Sequence, residues 1–178
     1  MRKLKTHELQ RISPQAYQTA HKSDIALVLN NIRSAHNTGS IFRTADAFRV
    51  HHLFLCGHTP TPPHKEIHKT ALGATDNIAW TYHKDALSCV QQLKTQGYFI
   101  AAVEQTDSSL ELPQFKPAKD QKIAIVVGNE VEGVDLEILK LANVVLEIPQ
   151  YGTKHSFNVS VCTGMVLYDV FFKLGGIR

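Results

Sequence analysis

Three polar stretches of this 178-residue chain hold the residue types that chemistry needs. The first, NNIRSAHNTGSIFRTADAF (30–48), places Asn37, Thr38 and Gly39 shortly ahead of Arg43. Backbone N–H groups at such a helix start can seat an anion, and a guanidinium can grip a phosphate or a hydroxyl. A surface pair with Asp46 accounts for Arg43 equally well. The second, GNEVEGV (128–134), sets Glu130 between Gly128 and Gly133, so a carboxylate sits where the backbone turns sharply. That carboxylate is either a helix-capping acid or a site residue. The third, PQYGTKHSFNVSV (149–161), offers Ser156 and Asn158 just before an apolar run. One of them can cap the following helix, and both suit hydrogen bonding to a hydroxyl or carboxylate. No phosphate-loop or dinucleotide glycine signature occurs, and no Ser-His-acid arrangement is evident.

These stretches need elements to hold them, and the hydrophobic pattern supplies them. Compact apolar runs at 24–31, 51–57, 77–83, 98–105, 122–130 and 144–149 read as strands. Helical spacing covers 37–48, 84–96, 135–142 and 158–174, with a turn or two over 66–74. Apolar runs alternating with helices imply strands buried on both faces, hence an α/β fold with a mostly parallel sheet flanked by helices. In such sheets ligands sit beyond the C-terminal strand ends, which is where the three polar stretches fall.

Composition narrows the classes. The chain is 43% hydrophobic and 20% charged, with a net charge of +3, which fits one unit over 1–178 and permits a nucleic-acid partner without demanding one. Residues 1–23 form a basic segment, with Arg2, Lys3, Lys5, Arg11 and Lys22 against Glu8 alone. Such a segment is either an RNA-contacting arm or a solvated terminus. No stretch has the ~20 apolar residues of a membrane span, and the N-terminus has no signal-peptide core. Cys56, Cys89 and Cys162 are scattered and read as buried thiols in a reducing cytoplasm. His51, His52, His58, His64 and His68 crowd one region. The prolines at 60, 62 and 63, the lack of a zinc-protease Glu and the lack of a Cys or Asp cluster argue for loop histidines and no metal.

Taken in order, the three stretches resemble the motifs of the SpoU (TrmH-type) RNA ribose 2′-O-methyltransferases of the SPOUT class. Asn31, Asn37, Gly39, Arg43 and Phe48 match the first motif. Gly128, Glu130 and Gly133 match the second, and Ile148, Pro149, Gly152, Ser156, Asn158, Val159 and Ser160 match the third. Gln150 and Phe157 depart from the usual Met and Leu, and the resemblance spans roughly residues 24 to 172.

The resemblance implies a SPOUT domain with a C-terminal deep trefoil knot, a homodimer, and a tRNA or rRNA substrate. It implies S-adenosylmethionine as cofactor, held near Val103, Gly128, Gly133, Ile148, Gly152 and Phe157. Arg43 would activate the 2′-hydroxyl, either by donating to an RNA phosphate that accepts or relays its proton, since an ordinary guanidinium keeps its own at neutral pH, or through a pKa depressed in the closed complex. Asn37 would orient Arg43 or the ribose, Ser156 and Asn158 would position the hydroxyl, and Glu130 would orient a neighbouring donor. The alternative is a catalytically silent RNA-binding domain of the same fold. With about two dozen residues before the first strand, the RNA grip is expected from the domain itself, its N-terminal segment and the dimer.

Overall fold

The computed structural model describes residues 1–177, so the last position of the expected 1–178 unit lies outside the described residues. Seven strands form one sheet: β1 Ile25–Asn30, β2 His52–Cys56, β3 Trp80–His83, β4 Phe99–Val103, β5 Leu110–Glu111, β6 Ile123–Val127 and β7 Val144–Glu147. Their order is β3-β2-β1-β6-β4-β7-β5, and every pairing is parallel. The runs IALVLN of β1 and IAIVV of β6 are buried at every position, as central strands covered on both faces must be.

Two apolar layers follow. One gathers Leu27, Leu29, Ile125 and Val127 with Ile41, Phe42 and Ala45 of helix α2 (Ala35–Ala47) and Val166, Leu167 and Val170 of helix α7 (Val159–Lys173). The other sets Val28, Val126 and Ile100 against Val90 and Leu93 of helix α5 (Ala86–Thr95) and Ile138 of helix α6 (Leu136–Leu141). Register places Val127 beside Val103, and Val103 beside Leu146. The C-terminal ends of β4, β6 and β7 therefore make one level edge.

The structure departs from the expected elements at three places. Beyond the expected turns over 66–74, which form helix α3 (Lys65–Ala71), a further short helix, α4 (Ala74–Asn77), takes the start of the expected strand at 77–83. The strand β5 has two residues, too few for a periodic signal. The basic segment is more than a solvated terminus: Ser13 caps helix α1 (Pro14–Thr19), whose Tyr17 joins the first core layer. Gln18 holds this arm to the body by donating to the Asp76 carbonyl at 3.3 Å.

Candidate active site

The loop after β6 closes on itself. Asn129 and Gly133 exchange two main-chain hydrogen bonds of 2.9 Å each. A side chain at Gly128 would collide with the backbone of Gly133 and Val134, so only glycine lets the two arms of the loop meet. Gly133 has φ +73, and a Cβ there would strike the Glu104 carboxylate. That carboxylate accepts from Val134 N at 3.0 Å and so ties the end of β4 to this loop.

Glu130 leaves the loop and reaches the start of α2. Its carboxylate accepts from Arg33 N at 2.8 Å, Ser34 N at 3.2 Å and the Asn37 side-chain amide at 2.8 Å. Burial pushes its carboxyl upward, but the donors from Arg33, Asn37 and Ser34 outweigh that and hold it below the usual range. The expectation that the start of α2 seats an outside anion is thereby corrected: the protein fills that position with its own carboxylate. Asn37 N and Thr38 N are also satisfied, by the Ser34 hydroxyl and carbonyl. Gly39 serves packing, because a Cβ there would collide with the Ile67 carbonyl and Thr70 hydroxyl of α3.

The third stretch joins the same network. Asn158 caps α7, accepting from Ser160 N at 2.9 Å, and its amide donates to Asn37 Oδ1 at 3.1 Å. An unbroken chain Asn158–Asn37–Glu130 thus links residues far apart in sequence. Asn129 adds a parallel tie, donating to the Asn31 carbonyl at 2.8 Å.

Beyond the level edge of β4, β6 and β7 lies a cavity of about 370 Å³. Val103, Gly128, Gly133, Ile148 and Phe157 line it, as do Glu130 and Ser156. Gly152 and Asn158 line a neighbouring depression, to which Ser156 and Phe157 also contribute. Arg43 is elsewhere. It lies six residues beyond Asn37, about 9 Å along the helix axis, and lines a separate cavity with Arg11, Tyr17 and Asp46. The Arg43–Asp46 surface pair is not formed, since Asp46 accepts from Asn77 at 3.1 Å instead.

Sequence reasoning missed Glu104 and Gln105. Both line the cavity over the β4, β6 and β7 ends, and Gln105 donates to the His155 carbonyl at 2.9 Å, bracing the third stretch. They follow β4 directly, so the strand-end rule could have found them. Among the described residues, the lining includes the carboxylates of Glu104, Glu130 and Glu147 and no Lys or Arg. Such a pocket, with apolar walls and an acidic rim, suits a cationic organic ligand of small-molecule size. S-adenosylmethionine fits this donor set, since its charge matches the acidic rim. Cys162 also lines the pocket, and burial, then the Glu104 charge, push its thiol up to about 11. It stays an unreactive thiol near neutral pH. Among the described residues no group of His, Cys, Asp or Glu is arranged to hold a metal.

A parallel sheet with a ligand cavity over its strand ends defines an α/β protein of the small-molecule-binding kind. Comparison with known proteins then identifies the family. Residues 24–168 match the SpoU rRNA Methylase family. A tRNA (guanosine(18)-2′-O)-methyltransferase of Aquifex aeolicus is 32% identical over 154 residues, covering 83% of this chain and 69% of that protein. A Staphylococcus haemolyticus protein described as a putative TrmH family tRNA/rRNA methyltransferase is 27% identical, and this chain spans 58% of its length. Among solved structures, the A. aeolicus TrmH/SpoU tRNA modifying enzyme superposes with a TM-score of 0.77 at 25% identity, over 93% of this chain and 85% of that one. The AdoMet-bound rRNA methyltransferase of Sinorhizobium meliloti gives 0.79 at 25% identity, over 93% and 62%. The chain belongs to the SpoU methylase family.

Proposed function

We propose that this chain transfers a methyl group from S-adenosylmethionine to a ribose 2′-hydroxyl of tRNA or rRNA. The observation that carries the reading is the Asn158–Asn37–Glu130 chain, which draws the three motif stretches together beside an acid-rimmed cavity. The cofactor supplies an electrophilic methyl on a sulfonium, so the protein must provide alignment and a path for the hydroxyl proton. Val103, Ile148 and Phe157 hold its apolar parts, and Gly128 and Gly133 let the loop close tightly at the cavity wall. Gly152 shapes the adjoining loop. Ser156 lines the cavity and the depression beside it, so its hydroxyl is available to orient the ribose. Asn37 and Asn158 are fixed by their mutual bond and by Glu130, and they keep the α2 and α7 starts in place around the substrate.

Arg43 is the activator in this reading, donating to an RNA phosphate that takes up the 2′-hydroxyl proton. Its distance from its own cavity is met by a homodimer in which each copy offers Arg43 to the other's site. The exposed face of α7 supports that pairing: Val161, Met165, Tyr168 and Phe172 recur at helical spacing and remain open, Tyr168 at 59% and Phe172 at 57%. The C-terminal trefoil knot also belongs to this reading. It is supported by β6 entering between β1 and β4, and by β7 entering between β4 and β5. No helix among the described residues is long and apolar enough to cross a membrane, and the reading sets the protein in the cytoplasm with its RNA.

The test is incubation of the purified chain with bulk tRNA or rRNA and S-adenosylmethionine, followed by mass spectrometry of the nucleosides. A 2′-O-methylated nucleoside is expected. Calorimetric binding of S-adenosylhomocysteine with no methyl transfer to any RNA would instead support the silent RNA-binding alternative. Binding of ATP or NAD in its place would sink both.

A further inference from the structure

Residues 148–157 join β7 to α7 and form neither helix nor strand. They carry Ser156 and Phe157, which line the cavity over the strand ends. Little within one copy holds them. Tyr151 is 95% exposed, and a Cβ at Gly152 would meet open space. Among the described residues a single hydrogen bond ties this stretch to the rest of the chain: the Gln105 side-chain amide donates to the His155 carbonyl at 2.9 Å. A loop so sparsely bonded opens at low cost, so its position depends on the one bond it has.

Gln105 stands on a fixed post. Glu104 N donates to the Leu146 carbonyl at 3.0 Å, which fastens the end of β4 to β7. The Glu104 carboxylate accepts from Gln105 N at 2.8 Å and from Val134 N at 3.0 Å, which fastens the same residues to the loop after β6. The far side of the stretch is pinned at Asn158, which caps α7 and donates to Asn37. Between the pins at His155 and Asn158 lie only Ser156 and Phe157, and both face the cavity.

We propose that Gln105 is a positioning residue: by holding the His155 carbonyl, its amide fixes Ser156 and Phe157 at the wall of the cofactor cavity. The proposal rests on the methyltransferase reading for the identity of the cofactor. A wall set in place beforehand need not be ordered when the cofactor arrives, which strengthens binding. The same bond keeps the Ser156 hydroxyl where an incoming ribose needs it. A glutamine suits the task because its amide donates without charge. Lysine or arginine at 105 would place a cation in a cavity that suits a cationic ligand.

Gln105→Met keeps the side-chain length and removes the donor. The full chain, wild type and variant, is compared by calorimetry with S-adenosylhomocysteine and by melting temperature. Trypsin cleavage after the exposed Lys154 is followed without ligand by mass spectrometry, and methylation of bulk tRNA and rRNA by steady-state kinetics. In the variant, cleavage after Lys154 is expected to quicken about fivefold and S-adenosylhomocysteine to bind about fivefold more weakly, within the range of one net hydrogen bond. The KM for S-adenosylmethionine is expected to rise and kcat to fall, while the KM for RNA and the melting temperature hold. Weaker S-adenosylhomocysteine binding with unchanged cleavage would mean that Gln105 touches the cofactor itself, and would overturn the proposal. A lowered melting temperature with unchanged KM and kcat would overturn it too, as a merely structural role. Wild-type values throughout, in a chain that methylates RNA, would remove the proposal and leave the methyltransferase reading standing. Quickened cleavage and weakened binding in a chain that methylates no RNA would sustain the positioning role and remove that reading. A wild type that binds no S-adenosylhomocysteine would overturn both.

Discussion

The Glu130 carboxylate accepts from two main-chain N–H groups and one side-chain amide, all within residues 33–37. Its motif made Glu130 visible in the sequence, but the choice between capping acid and site residue stayed open there. The geometry shows that the side chain caps α2 from another loop and also lines the cavity, and its part in the transfer belongs to the proposed reading. A cap supplied from 93 residues away leaves no trace in local spacing, so the start of α2 read as an anion seat. The titration of this group is a direct check. Its folded value is depressed, so ionisation favours the folded chain. That increment is present in full above the unfolded value of 4.5 and is lost as pH falls through the lower folded value. Glu130→Gln removes the charge and keeps the shape. At pH 7 the wild type is expected to be the more stable, by under about 1 kcal/mol for so exposed a group. Melting curves of the two chains are expected to converge on descending toward pH 3. A gap that stays constant across that range would show that the carboxylate's charge is not what holds the α2 start.

At the scale of elements, the long apolar runs gave the sheet away, because strands buried on both faces must be apolar at nearly every position. What stayed hidden was set by contact across the chain. Gly39 stands in the middle of α2, where local preference disfavours glycine, and in the sequence it passed for part of a ligand-binding turn. Its reason lies in α3: the Ile67 carbonyl and the Thr70 hydroxyl occupy the space a Cβ would need. Thr70 also donates to the His36 carbonyl at 3.0 Å, and the His36 ring meets Glu66 at 2.5 Å, so the two helices are fastened along their crossing. Gly39→Ala is expected to force α2 and α3 apart and to destabilise the fold by about 1–3 kcal/mol despite alanine's better helix propensity. A denaturant melt of the variant measures it. A gain in stability would mean that the crossing has slack and that the glycine is there for another reason. The N-terminal arm was hidden in the same way, since a single tyrosine among basic and polar residues carries no periodicity, and only the core layer it enters reveals it.

At the scale of the whole molecule, charge is divided between two cavities. One is lined by Glu104, Glu130 and Glu147 and suits a cationic cofactor; the other is lined by Arg11, Arg43 and Arg49 with Asp46. Within one copy the helix α2 separates them, with Asn37 at the first and Arg43 at the second. A transfer reaction needs a methyl donor and an activated hydroxyl within contact distance, so one chain by itself leaves the two halves apart. The sequence could not disclose this, because spacing along a helix does not say which copy a residue serves. In the proposed reading, two-fold pairing through the open face of α7 would bring the two halves together, and complementation tests it. Arg43→Ala keeps the pocket and loses the activator. Phe157→Arg keeps the activator and places a cation in the pocket, at a residue 38% exposed where the fold tolerates change. Each variant alone is expected to be inactive, with S-adenosylhomocysteine binding retained by the first and lost by the second. Mixed in equal amounts and allowed to exchange subunits, about half the dimers are hybrid, and each hybrid holds one site with an intact pocket and the partner's intact arginine. About a quarter of wild-type activity is then expected from random isologous pairing. If Arg43 served its own copy's pocket, the mixture would stay as inactive as its parts. A chain that sediments as a monomer while methylating RNA at full rate would equally remove the second copy from the mechanism.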